Sequence, residues 1–466
     1  MSRIASFTHF DFPVYLADGG PEIAAGLRLD LQPVGFTSLK AHAFRTALPR
    51  LKALNIYAPR EDSSLIQDAL DQQMQFLKHL RIKTTEVDFD DYQPIPVFSL
   101  LSINILSLET LVVRHSFVNL DTTLAYNLRR LHLENYRDLE EDIPFRWPIA
   151  NFLFILSNCA RLEELIVKNY LDVTVVGRNP SLRVLPLSRL TKLKEVTIKD
   201  KPYIVSRILS HLLIPAHVDA EVVGYITDGD AHSAFRTMLP ADRNKLPILY
   251  NAPTIRVFDT QDQCCVMSAL ISDEVAFDME LRRGTVLEAR AGFTSARRDG
   301  SLFRSMIECM DIFEGAPATK LQISGTLGAV PRVSWIKALE SFPDVREIEL
   351  TDVPDEQRPD SLSAILSALA SESSVARGQV VSARLWRLRI KAAIHDNRLL
   401  NGIYECVKGR AQAGAPLLHT LELELFPRRV WAPVEVARCE QALAALATLV
   451  RLNIHRPEDW QGGSFQ

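Results

Sequence analysis

The sequence has little of what several functional classes require. Its 466 residues include six cysteines, 8% aromatic residues and a formal net charge of −4. Proteins that bind nucleic acid mainly through phosphate contacts are usually strongly basic, so no nucleic-acid partner is expected. No apolar run approaches the length of a membrane-spanning helix; the nearest, residues 442–450, is interrupted by Thr448. We therefore expect no membrane association.

The cysteines are scattered, apart from the adjacent Cys264 and Cys265, and none has C-x-x-C spacing. A chain of this length with such spacing is not a disulfide framework. Residues 1–20 lack the apolar core of a secretory signal. We expect an intracellular protein of the cytoplasm or nucleus. Four cysteines are predicted to fill the core as small hydrophobic residues: Cys159, Cys309, Cys406 and Cys439.

Sequence motifs for catalysis are absent. The chain contains no G-x-S-x-G elbow, no phosphate-binding G-x-x-x-x-G-K-[ST] loop, no G-x-G-x-x-G and no H-E-x-x-H. Its eleven histidines show no metal-ligand spacing alongside cysteine. The acidic run at residues 88–91 lacks the glycine and final glutamate of a calcium loop. The sequence therefore predicts no enzyme, no cofactor and no metal site.

A recurring motif is abundant instead: leucine, two residues, leucine, one residue, then an aliphatic. Steps between successive copies are mostly 26 to 34 residues, and residues 26–31 form a degenerate first copy. Regular steps of this size are typical of a repeat solenoid. The central residues of the copies are Leu54, Leu80, Leu111, Leu131, Leu165, Val196, Leu321, Ile348, Leu388, Leu421 and Leu452.

Aliphatic residues two apart share one face of a strand, and the residues between them point the other way. Apolar residues at helical spacing precede several copies, for example Leu362, Ile365, Leu366 and Leu369. The predicted fold is an α/β leucine-rich-repeat solenoid, curved, with a parallel sheet on the concave face and helices on the convex face. It forms a single domain over residues 26–456, with an N-terminal segment at 1–25 and a C-terminal tail at 457–466.

The pattern is irregular over residues 200–315, which we interpret as degenerate repeats. Strands without the leading leucine are predicted at residues 219–223 and 254–258. The alternation of Phe277, Met279 and Leu281 predicts the first strand of a β-hairpin near residues 275–290, with Gly284 in its turn.

The amino-acid sequences of several copies resemble those of the fungal F-box/leucine-rich-repeat proteins. The resemblance rests on three segments: ILSNCARLEEL at 155–165, PRLKALNI at 49–56 and GAPLLHTL at 414–421. The resemblance covers roughly residues 25–456 and implies the substrate-binding repeat domain of an F-box-type ubiquitin ligase receptor. Residues 1–26 are too short for the F-box, and the first tryptophan is Trp147. A cullin-ligase adaptor is therefore expected as a partner only if an F-box exists upstream.

Outward-facing strand residues form the candidate binding site. Stacking of the copies is predicted to align Tyr57, Lys83, Arg114, Glu134, Lys168 and Lys199 in one ladder. Four of these six residues are cationic, which indicates an acidic protein partner on the concave face. Trp386 and Trp431 are interpreted as packing residues. The partner-binding residues are predicted to be Tyr57, Arg81, Lys83, Arg114, Lys168 and Lys199.

The leading functional hypothesis is a non-catalytic protein-recognition scaffold. A stand-alone adaptor or inhibitor unrelated to ubiquitin is the alternative in the same class. In the enzyme class, a GTPase-activating protein on a repeat scaffold would place an arginine or asparagine on its rim. Nothing in the sequence singles out such a residue.

Overall fold

The fold was analysed in a computed structural model. It describes residues 27–31, 48–84, 95–135, 147–172, 190–226, 234–259, 265–272, 275–283, 301–353, 362–373, 379–394, 398–427, 433–444 and 447–455.

The chain divides into two compact units. Unit 1 comprises Met1–Leu213, Val218–Ala220 and Pro240–Lys245. Unit 2 comprises Ile214–His217, Glu221–Leu239 and Leu246–Gln466. The single domain expected over residues 26–456 stays a prediction.

Most strands coincide with a copy of the leucine motif. The strands are β1 Leu27–Leu31, β2 Leu51–Ala58, β3 His79–Thr84, β4 Val97–Leu100, β5 Thr110–Arg114, β6 Phe117–Leu120, β7 Arg130–Glu134, β8 Trp147–Pro148, β9 Glu164–Lys168, β10 Leu171–Asp172, β11 Glu195–Asp200, β12 Asp219–Ile226, β13 Thr254–Asp259, β14 Cys265–Ser272, β15 Val275–Arg283, β16 Lys320–Gly325, β17 Glu347–Asp352, β18 Arg387–Ile394, β19 Leu418–Pro427 and β20 Ala447–Ile454.

Helices alternate with the strands along most of the chain. The α-helices are α1 Ser63–Leu70, α2 Thr122–Ala125, α3 Ile149–Ser157, α4 Pro202–Leu209, α5 Ala234–Met238, α6 Ile248–Asn251, α7 Ser301–Ile312, α8 Arg332–Ser341, α9 Ser363–Leu369, α10 Arg398–Gln412 and α11 Pro433–Ala444. Short 3-10 turns lie at Leu48–Arg50, Arg60–Asp62, Arg243–Lys245 and Leu327–Ala329.

Local chemistry explains several helix starts. Helix α4 begins with Pro202 at its first turn, where the missing N–H costs no hydrogen bond. Helix α2 is capped by Asp121, whose side chain accepts a hydrogen bond from the Thr123 N–H at 3.1 Å. Helix α9 and its N-cap residue Leu362 confirm the predicted apolar stripe, because Leu362, Ile365, Leu366 and Leu369 are all buried.

Unit 1 is built on a parallel sheet with the strand order β1-β2-β3-β5-β7-β9-β11. Every neighbouring pair in this order is parallel. The central motif residues lie side by side and are at most 1% exposed. This buried row confirms the predicted alignment and contains Leu54, Leu80, Leu111, Leu131, Leu165 and Val196.

Unit 2 has the strand order β15-β14-β13-β16-β17-β18-β19-β20. Strand β14 is antiparallel to β13 and β15, and the strands from β13 through β16 to β20 are parallel. Strands β12 and β13 confirm the two predicted strands without a leading leucine. The first strand of the predicted hairpin is confirmed as β15, with Phe277 and Met279 buried. Its second strand and Gly284 lie outside the described residues. Each unit is thus an α/β structure with a mostly parallel sheet.

The predicted register is wrong at the last strand. The motif aligned Leu452 with Leu421, but Leu452 pairs with Leu423 and Val450 pairs with Leu421. The shift is two residues, so each side chain keeps its face but lies two residues along the strand from its expected neighbour. Leu449, predicted to lead the motif, is 39% exposed.

The structure also describes several of the cysteine and tryptophan residues for which the sequence made predictions. Cys159, Cys309 and Cys406 are buried, which confirms their predicted core positions. Trp386 is 41% exposed and its ring centroid lies 5.4 Å from that of His419, so its assignment to packing stays a prediction. Cys264, Trp431, residues 88–91 and the Cys439 side chain lie outside the described set. In the described ranges, no helix is long and apolar enough to cross a membrane.

Candidate functional site

The candidate site is the open face of the unit 1 sheet, opposite the buried leucine row. Because strand side chains alternate, every second residue of β2, β3, β5, β7, β9 and β11 lies on this face. Strand pairing arranges them in three lateral rows. The first contains Ala53, His79, Thr110, Arg130, Glu164 and Glu195, and the second contains Asn55, Arg81, Val112, His132, Ile166 and Thr197.

The third row matches the predicted ladder, and we call it the basic row. Each residue pairs in register with the next, so their order across the sheet is confirmed. Lysine or arginine occupies four of the six positions and glutamate one. The row contains Tyr57, Lys83, Arg114, Glu134, Lys168 and Lys199.

Contacts within the basic row centre on Glu134. Its carboxylate lies 3.1 Å from Arg114 Nε and 3.7 Å from Lys168 Nζ. His132 Nε2 lies 2.8 Å from Glu134 Oε2, and the imidazole must donate because a carboxylate only accepts. The hydrogen bond from His132, and the positive charges of Lys168 and Arg114, lower the pKa of Glu134 to about 2. Glu134 is therefore anionic at neutral pH.

At the β2 and β3 end of the basic row, the contacts involve an aromatic ring and not a carboxylate. Lys83 Nζ lies over the Tyr57 ring, 5.2 Å from its centroid, which is a cation–π contact. Arg81 lies on the same strand as Lys83, is exposed, and has no ion pair among the described residues. Tyr57, Arg81 and Lys83 thus present an aromatic ring and two cations together. Tyrosine and arginine are among the residue types that contribute most to binding at protein interfaces.

A line of alternating charges borders the first row, and we call it the charge belt. Its members are Lys78, Glu109, Arg129, Glu163 and Lys194. Successive side chains are joined by ion pairs of 2.6, 3.9, 3.7 and 2.6 Å. The hydrogen bond from Lys78 lowers the pKa of Glu109, and that from Lys194 lowers the pKa of Glu163.

The backbone explains this alignment. The N–H groups of Glu109 and Thr110 both donate to the Lys78 carbonyl at 2.8 Å, and the same contact recurs at the following strands. Sequence reasoning missed the charge belt, although a signal was present. The residue after the leading leucine is charged in every copy of unit 1, including Lys52.

An open groove of about 650 Å³ lies between the charge belt and the second row. Its lining contains four arginine or lysine residues and four glutamates, so the groove is electrically balanced. Arg130 and Glu164 on its wall are paired at 2.5 Å. Among the described residues, no group of three His, Cys, Asp or Glu side chains is placed to hold a metal ion. The groove therefore offers little preference for ligands of either charge.

The equivalent face of unit 2 is also charged, but its charges are paired. Its second row contains Arg256, Gln322, Glu349, Arg389, Glu422 and Arg451. Glu349 contacts Lys320 at 2.8 Å, and Glu422 contacts Arg451 at 3.2 Å. In the third row the cation is Lys391, which contacts Glu424 at 3.4 Å. The basic row of unit 1 has four cations and one glutamate, which is a larger excess of cations than in the second row of unit 2, with three arginines and two glutamates.

No family model matches the chain. An alignment of 251 positions with the ATP synthase subunit delta of Streptomyces avermitilis is 28% identical and covers 48% of this chain and 85% of that protein. This likeness concerns less than half of the chain and does not assign it to a family. Fold and site define an α/β protein with mostly parallel sheets and a basic, open sheet face.

Proposed function

We propose that the chain is a leucine-rich-repeat solenoid that recognises an acidic protein partner on the open face of unit 1. Its role would be that of a non-catalytic scaffold, and it would resemble the substrate-binding region of an F-box-type ubiquitin ligase receptor. The basic row carries this proposal, because four cations stand in lateral register in a protein whose net charge is −4. Aligned charges of one sign steer an oppositely charged partner and set its orientation.

Rigidity supports the same role. Every strand of the row is hydrogen-bonded on both sides within the sheet order from β1 to β11, except at the ends of that order. The opposite face of the sheet is formed by leucine and valine side chains that are almost completely buried. A surface held in this way binds without a large ordering cost.

Charge reversal tests the proposal. The double variant Lys83→Glu/Arg114→Glu is compared with wild type by affinity purification from the native cells and quantitative mass spectrometry. We expect a specific partner to be lost, with affinity reduced at least about tenfold because two attractive contacts become repulsive. The matched control is Arg161→Glu/Lys192→Glu, which reverses two exposed charges of unit 1 outside the row.

The partner set discriminates between the two binding roles. Recovery of a cullin and its adaptor would support a ligase receptor, and one stoichiometric partner without ligase components would support a stand-alone scaffold. Unchanged recovery of every partner by the Lys83→Glu/Arg114→Glu variant would contradict recognition through the basic row. A melting temperature close to wild type is required of both variants.

A further inference from the structure

The charges of the basic row are not evenly distributed. Lys83 and Arg114 are neighbours on β3 and β5, and Lys168 and Lys199 are neighbours on β9 and β11. Glu134, on β7, stands alone between the two cation pairs. Hydrogen-bonded strands lie about 4.8 Å apart, so the midpoints of the pairs are three strands, or about 14 Å, apart.

The central carboxylate is held in place by its neighbours. Glu134 contacts His132, Arg114 and Lys168 at 2.8, 3.1 and 3.7 Å. These contacts leave the adjacent cations able to bind a ligand. Arg114 approaches Glu134 with Nε in an ion pair, and its guanidinium carries four further N–H donors, while an ammonium such as Lys168 has three. The row therefore offers positive, negative and positive zones in sequence.

On the basis of the proposed function, we infer that the basic row selects an extended peptide segment with two acidic side chains four residues apart. An extended chain rises about 3.4 Å per residue, so residues i and i+4 are about 14 Å apart and point to the same side. Each acidic side chain then faces one cation pair. Residue i+2 also points to the sheet and faces Glu134, so an acidic residue there is rejected by like-charge repulsion.

This pattern favours a peptide over nucleic acid. A single strand of nucleic acid carries a phosphate on every nucleotide, and a chain laid along the row places a phosphate against Glu134. The carboxylate between the cation pairs therefore discriminates against a continuous polyanion, whereas a peptide can carry a neutral residue at that point. The protein's net charge of −4 acts in the same direction.

A panel of fluorescein-labelled nine-residue peptides tests the spacing by fluorescence anisotropy with the full chain. In a glycine–serine background, glutamates at positions 3 and 7 are compared with glutamates at 3 and 5, which have the same net charge. We expect the 3,7 peptide to bind about fivefold tighter or more, since one like-charge contact is worth about 1 kcal/mol. A 3,5,7 peptide should bind no better than the 3,7 peptide, and a single-stranded oligonucleotide should bind weakest.

Glu134→Gln is the informative variant, because its amide oxygen still accepts the His132 hydrogen bond while the charge is removed. We expect this variant to lose the spacing preference and to bind the 3,5,7 peptide tightest. The control is Glu61→Gln, at an exposed carboxylate elsewhere in unit 1, which should keep the wild-type preference. Thermal melts verify that both variants are folded.

The outcomes separate the two proposals. Equal binding of the 3,7 and 3,5 peptides to wild type would overturn the spacing inference and leave the proposed recognition face standing. Peptide binding that survives Lys83→Glu/Arg114→Glu would overturn the proposed face itself. Tightest binding of the oligonucleotide would overturn the selection of peptide over nucleic acid.

Discussion

The carboxylate at the centre of the basic row should also stabilise unit 1. In the folded state the pKa of Glu134 is lowered from 4.5 to about 2, first by the His132 hydrogen bond and then by Lys168 and Arg114. A difference of this size corresponds to about 3 kcal/mol of folding free energy at neutral pH. The side chain is 24% exposed, so solvent screening reduces the contribution, and we expect Glu134→Gln to cost about 1–3 kcal/mol.

The pH dependence gives this prediction its test. Because the folded-state pKa lies below the unfolded value, the contribution is complete above pH 4.5 and is lost as pH falls through about 2. Urea unfolding, followed by the fluorescence of the buried Trp147 in unit 1, measures it at pH 7 and pH 3. The difference between wild type and Glu134→Gln should be clearly smaller at pH 3. A difference that is the same at both pH values, or no difference at pH 7, would refute the reasoning.

Two further predictions concern buried polar groups. Burial and the nearby Lys83 lower the pKa of His115 from 6.5 to about 4, so stability should rise with pH through that window. The variant His115→Asn suits the local φ of 61° and should remove part of the rise, by up to about 3 kcal/mol between urea titrations at pH 4 and 7; an unchanged rise would contradict this. In unit 2, Arg410 is 2% exposed and donates to three backbone carbonyls, those of Leu369, Val381 and Ser382, at 2.9 to 3.0 Å. Arg410→Met should lower the unfolding free energy of unit 2 by about 3 kcal/mol in urea titrations, because three buried carbonyls lose their donors; a loss under 0.5 kcal/mol, roughly the scatter of surface changes, would contradict it.

The lateral order of the basic row could be predicted because two local rules determine it. Aliphatics two apart assign each outward residue to a face, and one central aliphatic per strand sets which residues lie side by side. Lys83 and Arg114 were placed next to each other in this way, although 31 positions separate them in the chain, and their strands pair in that register.

The same rules failed where a strand offers several equivalent aliphatics. Strand β20 carries Leu449, Val450, Leu452 and Ile454, so a shift of two residues still places aliphatic side chains on the core face. The pairing of Val450 with Leu421 was therefore open from the sequence. Packing and strand pairing in unit 2 decided it.

The contacts between side chains were a second feature that the sequence did not predict. The ladder already contained Glu134, but its contacts with His132, Arg114 and Lys168 depend on rotamers that strand periodicity does not encode. The charge belt was missed for a related reason. Its residues precede the central leucine by two, at the entry to each strand, and the repeated backbone bond to the preceding carbonyl is what brings their charges together.

By itself the sequence determined which motif residues form strands, which face their side chains take and, in unit 1, which of those side chains are neighbours, but it predicted none of β4, β6, β8, β10 and β14. These properties follow from local periodicity and from burial of leucine, which act on every copy of the motif alike. Only the tertiary structure decided the register of the last strand, the antiparallel pairing of β14 with β15 and the ion pairs that divide the basic row. Those features depend on distances of a few ångströms between residues far apart in the chain, and such distances exist only once the strands have paired.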